Sequence, residues 1–385
     1  MSTQLEDMSA ENPTANLTWS NTTKAILNYT TKTASFFDQG WQLAITVELY
    51  FRYAVIAIGV FGTAANALVL YALITHNVRE AKKRAINLLI IHQNLLDLSC
   101  CVLLVITHSI ADKIYLTGAL GYFLCTFFVS EGATYCALYA SVVNLMSLTI
   151  ERYLKIVHPF WSKKYLKRWM IHTAMAFAWI TGVMFVMPVV FYTSLVKDGY
   201  CLSYFIWDSP TIRMMYGAST IFSFFALPLI IFIYCYGRIA VVMKRQMRVM
   251  AGHNEASSQM NASQMHSKRI KWNIIKTMIT VSVAFIICWF PSNIYFMIVD
   301  NTAQTSILFV GYYPTIFMAY LNICMNPFIY AAKHEGVKQK LAPLMMCLKC
   351  NRPSAVMDNS GSGSRPNNAG VTPATQQRMA AVACS

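Results

Sequence analysis

Three kinds of residue in this sequence could do chemistry where they stand. The first is Glu151-Arg152-Tyr153, at the end of an apolar run from Ala133 to Ile150, with a basic, proline-containing segment directly after it. Charges inside lipid are costly, and a charge pair there marks a functional site. The alternative is a flanking pair that anchors a helix end at the interface. The second is Asp97, a carboxylate inside another apolar run, which must find polar partners. The third is the set of eleven cysteines. Most lie in apolar runs (Cys100, Cys101, Cys136, Cys235, Cys288, Cys324) and read as buried thiols. Only Cys125 and Cys201 stand where a bridge on the outer side of a membrane can form. A catalytic set is missing from the pattern. The eight histidines (His76, His92, His108, His158, His172, His253, His266, His334) are scattered, with no HxxxH pair on one helix. The sequence holds no CxxC array with histidines at zinc spacing and no Gly-rich phosphate loop, and no Ser/His/Asp set assembles on one side.

The elements that must position these residues are membrane helices. The chain has 385 residues, 56% hydrophobic and only 12% charged, where soluble domains carry roughly 25% charged residues. Its mean hydropathy is +0.44. Seven apolar runs each reach the ~20 residues that span a bilayer: Thr46–Ile74, Ala85–Ile110, Gly121–Leu154, Trp169–Leu195, Thr211–Met243, Ile270–Val299 and Ser306–Ala331. The net charge of +15 sits in alternate connections rather than on one soluble face, which speaks for membrane insertion and against nucleic acid. Arg79, Lys82, Lys83 and Arg84 follow the first run. Lys155, Lys163, Lys164, Lys167 and Arg168 follow the third. Lys244, Arg245, Arg248, Lys268, Arg269 and Lys271 surround the fifth-to-sixth connection, and Lys333, Lys338 and Lys340 follow the seventh. That side is expected to be cytoplasmic, which places the N-terminus outside and the C-terminus inside.

The start lacks the basic and apolar parts of a cleavable signal peptide. Residues 1–42 carry three N-glycosylation sequons, at Asn16, Asn21 and Asn28, as expected of an extracellular tail. No internal repeat points to an inverted-repeat transporter. After the bundle (43–332), residues 333–350 have the spacing of a short amphipathic helix on the inner leaflet. Cys347 and Cys350 there are either palmitoylation sites or free thiols. Residues 351–385 have a disordered composition.

Seven spans with Glu151-Arg152-Tyr153 at the inner end of the third resemble the rhodopsin-like (class A) G-protein-coupled receptors. The likeness repeats in every span and covers about Thr46 to Cys350. The first span has Gly62-Thr-Ala-Ala-Asn66 and the second Asn94-Leu-Leu-Asp97. The fourth has Trp179, and the fifth Pro228 and Tyr236. The sixth has Cys288-Trp289-Phe290-Pro291, and the seventh Asn326-Pro327-Phe328-Ile329-Tyr330. The resemblance implies an all-α seven-transmembrane bundle at the plasma membrane that binds an extracellular ligand. A membrane enzyme or transporter is the remote alternative.

By the same resemblance, Asp97, Ser141, Asn322 and Asn326 form a sodium pocket, or else a hydrogen-bonded cluster without an ion; no other cofactor is expected. Val142, Pro228 and Phe285 form a packing switch, with Trp289 as a lever before Pro291. The sixth helix swings outward, Arg152, Tyr236 and Tyr330 rearrange, and a heterotrimeric G protein docks in the opened cleft. Pro159-Phe160 supplies an apolar plug for that partner. Arrestin is a further possible partner, and membrane lipid surrounds the chain.

Two departures from the family pattern shape the expectations. The acidic residue that often restrains the third-span arginine is replaced by Lys271, so Arg152 is expected to be held by Glu151 alone, with basal signalling. And the segment from Cys125 to Arg152 is about two residues longer than the family's spacing, although both cysteines of the Cys125–Cys201 disulfide remain on the outer side. The position where amine receptors carry an aspartate is therefore Thr134 counted from Arg152, or Gly132 counted from Cys125. Neither is acidic, and Glu131, the nearby acid, is expected at the pocket rim. The retinal-lysine position is Tyr320, and no lysine lies between Asn301 and Ala332. A peptide, or a small polar or lipid ligand, remains, with an amine disfavoured. The pocket candidates are Glu131, Thr134, Trp207, Phe296, Tyr312 and Tyr320. The aromatic residues among them suit a neuropeptide but equally suit interfacial anchors.

Overall fold

A computed structural model describes residues 42–43, 45–75, 88–110, 113–203, 207–252, 258–301, 308–333 and 337; within these, the side chains at 247, 249–271, 274, 299–310 and 333 are outside the description. Among the described residues seven helices are long and apolar enough to cross a membrane: Ile45–Thr75, Leu88–Ile110, Gly118–Val157, Arg168–Thr193, Pro210–Gln246, Ile275–Ile298 and Gly311–Ala332. They are the seven expected spans. The fifth continues to Gly252, the sixth belongs to a helix from Ser258 to Asn301, and the seventh to one from Leu308 to Lys333.

The third span is the axis of the bundle. Of its most apolar window 72% is buried, against 22% for the fourth and fifth spans. Lipid tails are as apolar as leucine, so helices here associate by close packing rather than by a hydrophobic force. Gly182 of the fourth span lets the two backbones touch (a Cβ there would lie 2.3 Å from the Cys136 carbonyl oxygen). Around this axis a core containing Val142, Phe232, Phe285 and Tyr330 fills the half toward Arg152. A second core, with Cys100, Leu104, Ile316 and Tyr320, fills the half toward the disulfide.

Among the described residues the all-α pattern has one small exception, at the disulfide end. Strands β1 (Leu195–Lys197) and β2 (Tyr200–Leu202) pair antiparallel, with Lys197 opposite Tyr200. The two linking residues, Asp198 and Gly199, have φ of 52° and 81°. That is the two-residue hairpin turn whose twist matches paired strands, and Asp-Gly is its preferred sequence. The hairpin is tied down twice. Leu116 N–H donates to the Gly199 carbonyl at 3.0 Å, and Cys201 is bonded to Cys125, with their Cα atoms 5.3 Å apart.

The third span is not the uninterrupted run that Gly121–Leu154 suggests. A π turn occupies Cys125–Val129, Ser130 leaves helical geometry, and Glu131 is left-handed at φ 59° before the helix resumes at Gly132. The break is internally satisfied. Ser130 N–H reaches the Cys125 carbonyl at 2.8 Å, Glu131 N–H reaches Phe128 at 2.8 Å, and Thr107 of the second span donates to the Phe128 carbonyl at 3.1 Å. A π turn holds one more residue than an α turn. The π turn takes up one of the roughly two surplus residues between Cys125 and Arg152, and the non-helical Ser130–Glu131 link stands where the other is accommodated, so numbering from Arg152 is the one to use below the break.

The fifth span carries a second π turn at Phe222–Ala226, just before Pro228. Proline has no N–H for the carbonyl one turn earlier, and the wider turn accommodates that loss. Of residues 334–350, where a surface helix is expected, the described position is Val337, buried against the core that holds Ile329 and Tyr330. The sequons at Asn16, Asn21 and Asn28 and the cysteines Cys347 and Cys350 lie outside the described residues.

Candidate functional site

Toward the disulfide end, the break in the third span turns Glu131 inward. The rim position expected for it is corrected: its side chain is 17% exposed, with Nε2 of His108 3.5 Å from Oε1. Tyr320 donates its hydroxyl to Oε2. Thus one acid joins the second, third and seventh spans. A left-handed glutamate carries backbone strain, and its two side-chain partners hold it there. Phe51 meets His108 edge-on and Tyr313 and Tyr320 at a tilt, with centroids 5.8, 5.0 and 6.5 Å away. Tyr312 contacts Tyr295, Phe296 and Tyr313. The result is an acid lined by aromatic rings, a surrounding that suits a cation. Thr134 is buried one turn below, and its hydroxyl has no hydrogen-bond partner. Gly132 is pressed onto the Thr126 carbonyl, 2.4 Å from where a Cβ would stand, and leaves no room for a side chain. Trp207 packs on Tyr216 at the start of the fifth span.

At mid-span, Asp97, Ser141 and Asn326 come together as expected. Ser141 donates to Asp97 Oδ1 at 3.0 Å and Asn326 to Oδ2 at 2.8 Å. Gln93, which sequence reasoning missed, donates its amide to both Asp97 Oδ1, at 3.2 Å, and the Ser141 hydroxyl. Asn322 is buried and its side-chain oxygen has no hydrogen-bond partner. A hard cation takes bare oxygen ligands. Here the Asp97 and Ser141 oxygens already face an N–H₂ group, so this donor set does not fit a sodium ion. Elsewhere at this depth, Asn66 ties the first span to the seventh by donating to the Ile323 carbonyl at 3.1 Å.

The switch residues share one core. Phe285 is 1% exposed and Val142 2%. Phe285 contacts Phe232 edge-on at 5.9 Å and lies 6.0 Å from Trp289. Pro228 is buried. Pro291 lies inside a continuous helix, and directly after it Ser292 and Asn293 donate their side chains to the Trp289 carbonyl, at 3.0 and 2.7 Å.

At the opposite end Arg152 is 6% exposed. Its Nε lies 3.3 Å from Glu151 Oε2, while Lys155 takes the other Glu151 oxygen. Glu151 therefore divides its charge between two cations. Tyr236 is bound to Thr149 at 3.0 Å and Ser282 at 3.3 Å, bridging the third, fifth and sixth spans. The Tyr330 hydroxyl is buried with no partner. Lys271 lies in the sixth-span helix, but its side chain is outside the described residues, as is any contact with Arg152. Neutralising the shared acid should loosen this arrangement. Glu151→Gln is expected to raise ligand-free nucleotide exchange on a G protein about 5-fold or more; exchange at or below the native rate would refute it.

Seven helices closed by a disulfide at one end, with a buried arginine at the other, define a seven-span membrane receptor. The family described as 7 transmembrane receptor (rhodopsin family) matches residues 65–330. The chain belongs to that family and is a G-protein-coupled receptor, not an enzyme. Among curated relatives, the Substance-K receptor of Canis lupus familiaris is 24% identical over 349 residues, 86% of this chain and 83% of the relative. The pyroglutamylated RF-amide peptide receptor of Rattus norvegicus is 24% identical over 336 residues, 83% of this chain and 72% of the relative. Among solved structures, squid rhodopsin superposes with a TM-score of 0.63 at 16% identity, covering 80% of this chain and 87% of the other. At that identity the match speaks for the fold alone.

Proposed function

We propose that this receptor binds an extracellular peptide, through the disulfide end of the bundle, and activates heterotrimeric G proteins. The observation that carries the ligand class is that its relatives include receptors named for different peptides, substance K and a pyroglutamylated RF-amide peptide. The aromatic funnel formed by Phe51, Tyr295, Phe296, Tyr312 and Tyr313 supports it, because rigid rings give contact area at low entropic cost. Alternating basic connections put that end outside, with residues 1–42 as a glycosylated tail and residues 351–385 as a cytoplasmic tail. In this reading Cys347 and Cys350 anchor the inner helix to the membrane, and arrestin is a second cytoplasmic partner.

Activation proceeds by outward movement of the inner half of the sixth helix, pivoting at Pro291, with Trp289 and Phe285 as its lever. The movement separates Ser282 from Tyr236. Phe160 supports a docking role beside Arg152: it is 91% exposed and follows Pro159 in a basic segment. A side chain that exposed does not serve a core.

The enclosed Glu131 favours a cationic group on the ligand, and for that reason a biogenic amine is the second reading. A screen of peptide and amine libraries on cells expressing the receptor, read by several G-protein sensors, separates the two. A peptide response supports the first; a dose-dependent amine response with none to peptides overturns it. For whichever ligand answers, Glu131→Gln is expected to lower potency about 10–100-fold, as for a charged pair lost from a partly desolvated site. An unchanged dose–response curve would remove Glu131 from the pocket.

A further inference from the structure

Gln93 stands one helical turn before Asp97, so both side chains share a face of the second span. Asp97 is 0% exposed and Gln93 1%. Gln93 Nε2 donates to Asp97 Oδ1 at 3.2 Å and to the Ser141 hydroxyl. Ser141 donates to the same Oδ1 at 3.0 Å, and Asn326 covers Oδ2 from the seventh span at 2.8 Å. One N–H₂ group therefore sits on the two oxygens that a bound cation would need first, and it presents the same sign of partial charge.

The amide is held in that orientation from its other end. Gln93 Oε1 accepts from Asn144 Nδ2 at 2.8 Å, and Asn144 Nδ2 also donates to the Leu89 carbonyl at 3.0 Å. Asn144 Oδ1 faces His92 Nδ1 at 2.9 Å. That oxygen only accepts, so the His92 proton is on Nδ1 and bare Nε2 accepts from Trp179 Nε1 at 3.1 Å. Every donor in the chain points the same way, from the fourth span through Trp179, His92, Asn144 and Gln93 to Asp97. Flipping the Gln93 amide would set its oxygen against the Asp97 carboxylate and its N–H₂ against that of Asn144. Buried polar networks of this kind are costly when half satisfied, which fixes the direction.

We propose that the Gln93 amide is a built-in substitute for a cation at Asp97, so that this receptor maintains its mid-membrane site without sodium and is insensitive to it. The unpaired side-chain oxygens of Asn322 and Asn326 are acceptors an ion could use only together with Asp97, whose Oδ1 already takes two donors and whose Oδ2 is covered by the Asn326 amide. Removing the amide exposes an oxygen set drawn from Asp97, Ser141, Asn322 and Asn326 and creates the ion site that the native chain has closed.

The test needs no ligand. The full-length receptor is purified and its thermal unfolding followed as sodium chloride replaces N-methyl-D-glucamine chloride at constant ionic strength. The native midpoint is expected to stay within about 1 °C across the series, because an ion that does not bind adds no stability. Gln93→Ala is expected to melt lower without sodium and to gain about 2–4 °C or more as sodium is added. Gln93→Met fills the volume without a donor and carries the same test if the alanine variant folds poorly. Adding Asp97→Asn to either variant should erase the gain. A sodium-specific rise in the native receptor overturns the proposal. So does a failure of the Gln93 variants to gain any sodium response.

Discussion

An Arg152→Ala receptor that reaches the cell surface at native abundance is expected to drive agonist-stimulated nucleotide exchange about 100-fold more slowly than the native chain. Arg152 is a cation at 6% exposure, and its neighbour Glu151 is shared with Lys155. Around it, Tyr236 is engaged with Thr149 and Ser282, while the Tyr330 hydroxyl is buried without a hydrogen-bond partner. In the proposed transition the sixth span carries Ser282 away and releases Tyr236, so that two hydroxyls and a guanidinium become available to one another and to a G protein. Arginine supplies several donors in a rigid fork, and hydrogen bonds to such a charge contribute about 1.5–3 kcal/mol each. Losing one or two of them in the activated complex gives a factor of about 10². Ligand binding at the far end should persist, since none of the Glu131 contacts involves Arg152. Tyr330→Phe, which removes only the idle hydroxyl, should reduce exchange while leaving the fold intact. Exchange by Arg152→Ala within a few-fold of native would show that the arginine is an interfacial anchor, the alternative that Glu151-Arg152-Tyr153 leaves open when read by itself.

Much of this molecule is legible in its sequence because membrane helices announce themselves by length and hydropathy. The seven expected runs are the seven spans, and the bridge joins the expected pair, Cys125 at the start of the third run and Cys201 between the fourth and fifth. What escaped is local geometry that leaves hydropathy unchanged. The π turn and left-handed Glu131 lie within an unbroken apolar stretch; their trace is the surplus length between Cys125 and Arg152. That surplus showed that something was displaced but not that Glu131 would turn inward to Tyr320. The hairpin at Asp198-Gly199 left a plainer trace, a two-residue turn signature between short extended segments. Gln93 left none. A glutamine one turn from an aspartate is ordinary on a helix, and only the facing of Ser141 and Asn144 from the third span gives its amide a role. The hydrogen bond from Trp179 to His92 likewise joins residues far apart in the chain, where no spacing rule connects them.

Gly182→Leu is expected to leave almost no receptor at the cell surface. A Cβ at Gly182 would lie 2.3 Å from the Cys136 carbonyl oxygen, 3.2 Å from its carbon and 3.3 Å from the Ala140 nitrogen. All three are backbone atoms of the central helix and cannot move aside as a side-chain tip can. The fourth span must back away, and in lipid no hydrophobic force resists its leaving. The displacement also pulls Trp179, one turn earlier on the same helix, from His92, which its indole reaches at 3.1 Å. The buried imidazole nitrogen is then unpaired, a loss of about 1–3 kcal/mol on top of a similar cost for overpacking. Gly182→Ala, with the Cβ alone, should fold with a lowered unfolding temperature, and the larger leucine should exceed what the bundle tolerates. Gly237 provides the contrast: nothing beyond its own helix backbone lies within 4 Å of its Cβ position, so Gly237→Ala should meet no clash and raise stability slightly, by about 0.5–1 kcal/mol. Surface labelling and thermal unfolding of the three variants measure the series. Native abundance for Gly182→Leu would mean that the third and fourth spans are held together by something other than this contact.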